Sequence, residues 1–133
     1  RVLGDAKLDV VAWNGSKGGS LDFALDHQLV ERIETLTGAR STTSTLAIDR
    51  VFREDRVKRY ALACPYVDSY RDRIVGSFAR EGYECSAARN FGLADNYSFS
   101  QIPLDDIAAL AGTAPYAMPT TRGGPGRRTG AGA

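Results

Sequence analysis

Residues Asn14–Gly19 read NGSKGG: three glycines with a serine hydroxyl and a lysine charge, set between an apolar run and a helical pattern. Glycines there permit tight turns and positive φ. Backbone N–H groups at the mouth of a following helix face outward, and the helix dipole favours an anion. Capture of a small anion is the chemistry this composition suits best. Asn14 and Gly15 shape the turn, while Ser16 and Lys17 add a hydroxyl and a charge. The spacing matches neither the phosphate loop G-x-x-x-x-G-K-S/T nor the dinucleotide turn G-x-G-x-x-G. The same residues also suit a strand-to-helix turn that binds nothing.

Other residues could share such a ligand. Pro65–Tyr66 follows a strand-like run, and a tyrosine at a strand's C-terminal end can donate its O–H to a carboxylate. Asn96 could offer an amide, although Asp95–Asn96 is also ordinary turn chemistry. Thr42, Thr43 and Ser44 could supply hydroxyls or satisfy backbone groups. His27, the sole histidine, falls on the polar side of a helical pattern, so serine–histidine catalysis has thin support. Cys64, two residues before Tyr66, is the one cysteine to consider as reactive, and no neighbour in sequence marks its thiol as acidic. No His, Cys or Asp cluster has metal-ligand spacing.

These residues need a scaffold. Leu8–Trp13 reads as a buried strand. After the glycine loop, Leu21, Ala24, Leu25, Leu29, Ile33 and Leu36 recur at helical spacing, with Ser20 placed to cap the start and Gly38 to end it. Arg40–Leu46 is a short strand or a hydroxyl-rich loop. Ala47–Arg56 is a helix turning Ile48, Val51 and Phe52 inward. Val57–Cys64 is the clearest second strand, ended by Pro65. A helix over Val67–Glu81 puts Val67, Tyr70, Ile74, Val75 and Phe78 on one stripe. Tyr83–Arg89 is a third strand, Asn90–Asn96 a loop, and Leu104–Leu110 a helix between Pro103 and Gly112. Strands alternating with helices predict an α/β fold, a parallel sheet with flanking helices. Right-handed crossovers would bring Asn14–Gly19, Pro65–Val67 and Asn90–Asn96 to one sheet edge, where ligands of such folds bind.

The 133 residues allow one ordinary domain's worth of core. The formal charge of +1 gives no reason to expect a nucleic-acid or membrane partner. The charge is uneven: the body carries −2, and the last 20 residues carry +3 from Arg122, Arg127 and Arg128. Residues 113–133 are rich in Gly, Pro, Ala and Arg, and read as a disordered tail or a foreign end to the coding sequence. No run approaches the about 20 apolar residues of a membrane span, and no signal peptide is visible. A cytoplasmic location follows by default. Cys64 and Cys85 are too few for a disulfide framework and are expected reduced and buried.

Four segments, in order, resemble the aspartate/glutamate racemase superfamily in its branch of maleate cis–trans isomerases and arylmalonate decarboxylases. They are DVVAWNGSKGG (Asp9–Gly19), GARSTTSTLAIDRV (Gly38–Val51), VKRYALACPYVDSYRDRI (Val57–Ile74) and GLADNYSFSQI (Gly92–Ile102). The strand ending in Pro-Tyr and the later Gly-Leu-x-Asp-Asn run are the most specific. The resemblance implies parts of two similar flavodoxin-like α/β half-domains: residues 1–56 from the first and 57–112 from the second, with the site between them. It implies cofactor-free chemistry on a small mono- or dicarboxylic acid. On the family pattern Asn14, Gly15, Ser16, Lys17, Pro65 and Tyr66 are substrate-binding positions, and Tyr66 and Asn96 the catalytic ones. The family's usual pair of facing cysteines is not matched: Gly15 stands at the first position, as in the decarboxylases, and the second falls beyond Ile107. Lys17 replaces a usual small hydroxyl residue. Two functions follow as expectations. One is an isomerase or decarboxylase of this branch, present as an incomplete chain. The other is a non-catalytic paralogue that binds an anion or a partner subunit, homo-oligomers included.

Overall fold

The computed structural model describes residues 4–112; the predicted tail at 113–133 lies outside the described residues. Nine regular elements follow a short 3-10 turn at Gly4–Ala6. They are β1 (Val10–Trp13), α1 (Phe23–Thr37), β2 (Arg40–Thr43), α2 (Ser44–Glu54), β3 (Arg59–Tyr66), α3 (Asp68–Arg80), β4 (Glu84–Leu93), α4 (Asn96–Ser100) and α5 (Leu104–Ala111). A second 3-10 turn, Ser16–Ser20, fills the glycine loop. The strands pair in parallel as two separate ladders, β1 with β2 and β3 with β4. The α/β class read from the sequence is the one observed.

The helix boundaries have local causes. The 3-10 turn uses up Ser16–Ser20, so α1 cannot start at Ser20 as expected. Asp22 is its N-cap instead, and Asp22 Oδ1 accepts from the Ala24 amide at 2.9 Å. Gly38 ends α1 at φ 71, where a β-carbon would be strained. Thr43 Oγ1 caps α2 by accepting from the Leu46 amide, so the stretch read as strand or loop is a strand that turns directly into a helix.

β3 also runs further than the sequence suggests. Pro65 lacks an N–H and was expected to end the strand, but the ladder continues to Tyr66 because β4 bulges opposite it. Gly92, at φ 73, lies in the shifted stretch of β4. Asn90, expected in a loop, sits in this strand and donates from Nδ2 to the Tyr66 carbonyl at 2.7 Å.

The core gathers Phe23, Cys64, Tyr66, Ile74, Phe78 and Tyr83. Two expected stripes are rotated. Leu21 lies before α1 and is exposed; on α1, Leu25 and Leu36 face outward while Phe23 and Asp26 are buried. On α2, Ile48 and Val51 are exposed, Phe52 is half-buried, and Asp49 points inward. Asp49 is tolerated there because Tyr83 donates to its Oδ1 at 2.6 Å and Arg53 Nε to its Oδ2 at 2.8 Å. The α3 stripe is as expected, with Ile74 and Phe78 buried. Cys64 is buried and Cys85 half-buried, both free thiols. Among the described residues no helix is long and apolar enough to cross a membrane.

Candidate functional site

The loop, the start of α2 and the end of β3 border one cavity of about 470 Å³. Gly19 comes from the loop, Ser44 and Thr45 from α2, and Cys64 and Tyr66 from β3. Ile48, Phe52 and Phe78 make its apolar wall. Asn14–Gly19 and Pro65–Val67, two of the three segments expected to converge, reach this cavity, and Asn90 of the third bonds to Tyr66.

Asn14 is tied into this arrangement. The Ser44 hydroxyl donates to Asn14 Oδ1 at 3.0 Å, which fastens the loop's first residue to the first turn of α2. Gly15 precedes the 3-10 turn, and its carbonyl accepts from the Gly18 amide at 2.9 Å. A β-carbon on Gly15 would collide with the Trp13 indole. Any side chain at position 15, cysteine included, therefore requires Trp13 to swing away. Ser16 and Lys17 lie in the 3-10 turn itself.

Gly15→Ala is expected to displace the ring of Trp13, which is 55% exposed and free to move outward. Trp13 is the sole tryptophan, so its fluorescence reads the change directly. A shifted emission for Gly15→Ala, with Gly18→Ala near wild type, is the expected pair of results. A β-carbon on Gly18 meets only ordinary contacts, the nearest at 3.5 Å.

Beneath the loop lies a residue that pattern reading missed. Asp26 is 5% exposed, and its carboxylate oxygens stand 3.5 and 3.7 Å from where a Gly18 β-carbon would be. Thr45 Oγ1 meets the same point at 3.6 Å. Asp26 and Thr45 thus lie at ordinary contact distance beneath Gly18 and Gly19. A ligand anion on this inner side would meet like charge. The sequence shows Asp26 only as one of several charges on an amphipathic helix; its burial follows from the rotation of the α1 stripe.

Tyr66 is buried, with its ring edge-on to Phe99 at 5.4 Å and tilted against Tyr70 at 6.1 Å. Pro65, half-buried, sets the strand end beside it. Asn96 opens α4, a helix absent from the sequence reading. It is exposed, and its link to the rest of the site is that Phe99, one turn on, packs against Tyr66. Asp95 caps α4; hydrogen bonds from the Ser98 hydroxyl and amide hold its carboxyl below the usual aspartate range.

Arg71, Asp68 and Asn90 form a further polar group at this end of β3. Arg71 Nη1 donates to Asn90 Oδ1 at 2.7 Å and to Asp68 Oδ1 at 3.0 Å, and Asn90 Nδ2 donates to Asp68 Oδ1 at 2.9 Å. Cys64 lies within the field of this arginine. Burial pushes its thiol up, partly offset by a backbone hydrogen bond at Tyr66 and by the Arg71 charge. A thiol held protonated is a poor nucleophile. Thr42 and Thr43 serve the backbone, and His27 is exposed on α1. Among the described residues no group of three His, Cys, Asp or Glu side chains could hold a metal.

Parallel strands with flanking helices and a cavity at the strand ends define an α/β fold of the arylmalonate decarboxylase type. The arylmalonate decarboxylase family model matches residues 15–123, and the chain belongs to that family. Solved structures agree on the fold. A glycine-to-cysteine, cysteine-to-serine double mutant of arylmalonate decarboxylase in the liganded form superposes with a TM-score of 0.76 at 22% identity, over 82% of this chain and 47% of that one. The maleate isomerase from Pseudomonas putida S16 gives 0.77 at 20% identity, over 84% and 47%. The maleate cis–trans isomerase of Nocardia farcinica, solved as a cysteine-to-serine mutant with a covalently bound succinylcysteine intermediate, gives 0.72 at 23% identity, over 80% and 46%. The chain spans about half the length of these relatives. No curated protein sequence matches it.

Proposed function

We propose that this chain forms the carboxylate-holding part of a cofactor-independent decarboxylase or isomerase site acting on a small mono- or dicarboxylic acid. In this reading residues 1–56 and 57–112 are portions of two half-domains, and the substrate sits between them, in the cytoplasm. The outer side of Asn14–Lys17 and the Tyr66 hydroxyl hold the carboxylate, with Pro65 fixing the strand end. Ser16 is the loop hydroxyl, Lys17 adds a charge, and Asn96 acts from α4.

One observation supports this most. A single cavity is bordered by Gly19 at the end of the loop, by the hydroxyl residues Ser44 and Thr45, and by Tyr66, in a chain of the arylmalonate decarboxylase family. In chemistry of this kind, fixed donors around a developing negative charge stabilise the transition state more than any other single device. Glycine rather than cysteine at position 15, with the Trp13 indole packed over it, favours decarboxylation over the two-cysteine isomerase route. Cys64 is the one thiol on the cavity wall, and its burial suits it to giving a proton rather than attacking.

The test is incubation of the 133-residue chain with an arylmalonate and with maleate, followed by NMR. Binding is expected, tighter for the arylmalonate, and Tyr66→Phe should weaken it about tenfold, the loss of one charge-assisted hydrogen bond. Turnover would place the proton-transfer group on this chain. Binding without turnover would support the non-catalytic reading, and absence of binding to either acid would overturn the proposal.

A further inference from the structure

We infer that Asn90 is a positioning residue for Tyr66, its side-chain amide braced by Arg71 and Asp68. The inference rests on the reading above that the Tyr66 hydroxyl holds a substrate carboxylate. The ladder is irregular just where Tyr66 stands. Pro65 has no N–H to give it, and the register with β4 shifts from Cys64 opposite Asn90 to Tyr66 opposite Leu93. The Asn90 side chain supplies a hydrogen bond across this irregularity: Nδ2 donates to the Tyr66 carbonyl at 2.7 Å. That carbonyl lies in the peptide plane joining Tyr66 to Val67, so fixing it fixes the Cα from which the ring projects. Phe99 and Tyr70 then hold the ring itself, at 5.4 and 6.1 Å.

The amide fits only one way round. Its Oδ1 accepts from Arg71 Nη1 at 2.7 Å, while Nδ2 also donates to Asp68 Oδ1 at 2.9 Å. Turning it over would set the NH2 against a guanidinium, and the oxygen against a carbonyl and a carboxylate. Arg71 Nη1 donates to Asp68 Oδ1 as well, at 3.0 Å, which closes the group, and its Nε and Nη2 pair with Asp72. The Arg71 side chain is 23% exposed, so water screens these contacts only in part. Asn90 is thus held in the one orientation that bonds Tyr66. A reacting or binding group out of place by about 1 Å can cost up to about a hundredfold, so a local brace of this kind is large enough to measure.

A double-mutant cycle on phenylmalonate binding to the 133-residue chain, followed by amide chemical shifts, tests this. Asn90→Ala should weaken binding about tenfold, with circular dichroism showing that the fold is kept. The same substitution in a Tyr66→Phe background should change binding by less than about twofold, because the hydroxyl it positions is gone. Arg71→Gln, which removes the brace and leaves Asn90 in place, should show the same pattern at a smaller size. It decides the matter if Asn90→Ala does not fold. A purely structural role would weaken binding alike in both backgrounds. Equal weakening in the two, or none in either, would overturn the inference and leave Tyr66 as the carboxylate holder. A wild-type chain that does not bind, or a Tyr66→Phe chain that binds as well as wild type, would overturn the reading of Tyr66 and this inference with it.

Discussion

Phe78→Ala should cost about 3–5 kcal/mol, the largest loss expected from any single truncation in the chain. Phe78 is the ring on which the elements meet. It stands edge-on to Phe23 of α1 at 5.1 Å, and its centroid lies 6.1 Å from Phe52 of α2. Tyr60 of β3 is at 5.6 Å and Tyr83 at 6.1 Å. Because α1 and α2 accompany the first ladder and Tyr60 belongs to the second, the cavity left by this ring would loosen the joint between them. Domains of this kind are stable by only about 5–15 kcal/mol, so the variant should show a large drop in urea midpoint. Phe78→Leu, which keeps most of the volume, should lose far less.

Tyr83→Phe is the second large effect, expected at about 1.5–3 kcal/mol. The hydroxyl is buried and donates to Asp49 Oδ1 at 2.6 Å, joining the approach to β4 to α2. Removing it leaves a buried carboxylate with Arg53 as its remaining side-chain donor. The pH dependence has a defined sign at each end. Burial pulls the Asp49 carboxyl upward, but hydrogen bonds from Arg53 and Tyr83 and the Arg53 charge outweigh it and leave it below the ordinary 3.8. A depressed folded value means that the contribution is present above 3.8 and is lost as pH falls through the folded value. Tyr83 moves the other way: burial first, then the Asp49 hydrogen bond and charge, push it up to about 12 from 10. Its contribution is full below 10 and is lost as pH rises through about 12. Denaturant midpoints measured across both ranges should fall at each end in wild type. Asp49→Asn should flatten the acid limb, since an amide does not titrate.

Periodicity located the elements better than their faces. The α3 stripe was legible because Ile74 and Phe78 are apolar and buried together. The α1 and α2 stripes were not, because burial there goes to Asp26 and Asp49, whose hydrogen bonding or packing depends on residues distant in sequence. Glycine and proline marked helix ends well at Gly38, Pro103 and Gly112. Pro65 misled, since the bulge in β4 that admits it lies 27 residues on, at Gly92. Within the site, Asn14–Gly19 and Tyr66 were visible as a strand-to-helix loop and a strand end. Ser44 was visible as a hydroxyl without a role, and its bond to Asn14 supplies one. Asp26, and the match of Gly15 to Trp13, are contacts that no spacing rule reports.

The proposed site stands or falls on whether the outer side of the glycine loop and Tyr66 hold one carboxylate. Amide chemical shifts of the isotope-labelled chain titrated with phenylmalonate test this most directly. Saturable shifts at Gly15–Gly19, Ser44 and Thr45, greatly reduced in Tyr66→Phe, are the expected result. Shifts that never saturate, or that lie away from the cavity and ignore Tyr66→Phe, would contradict it.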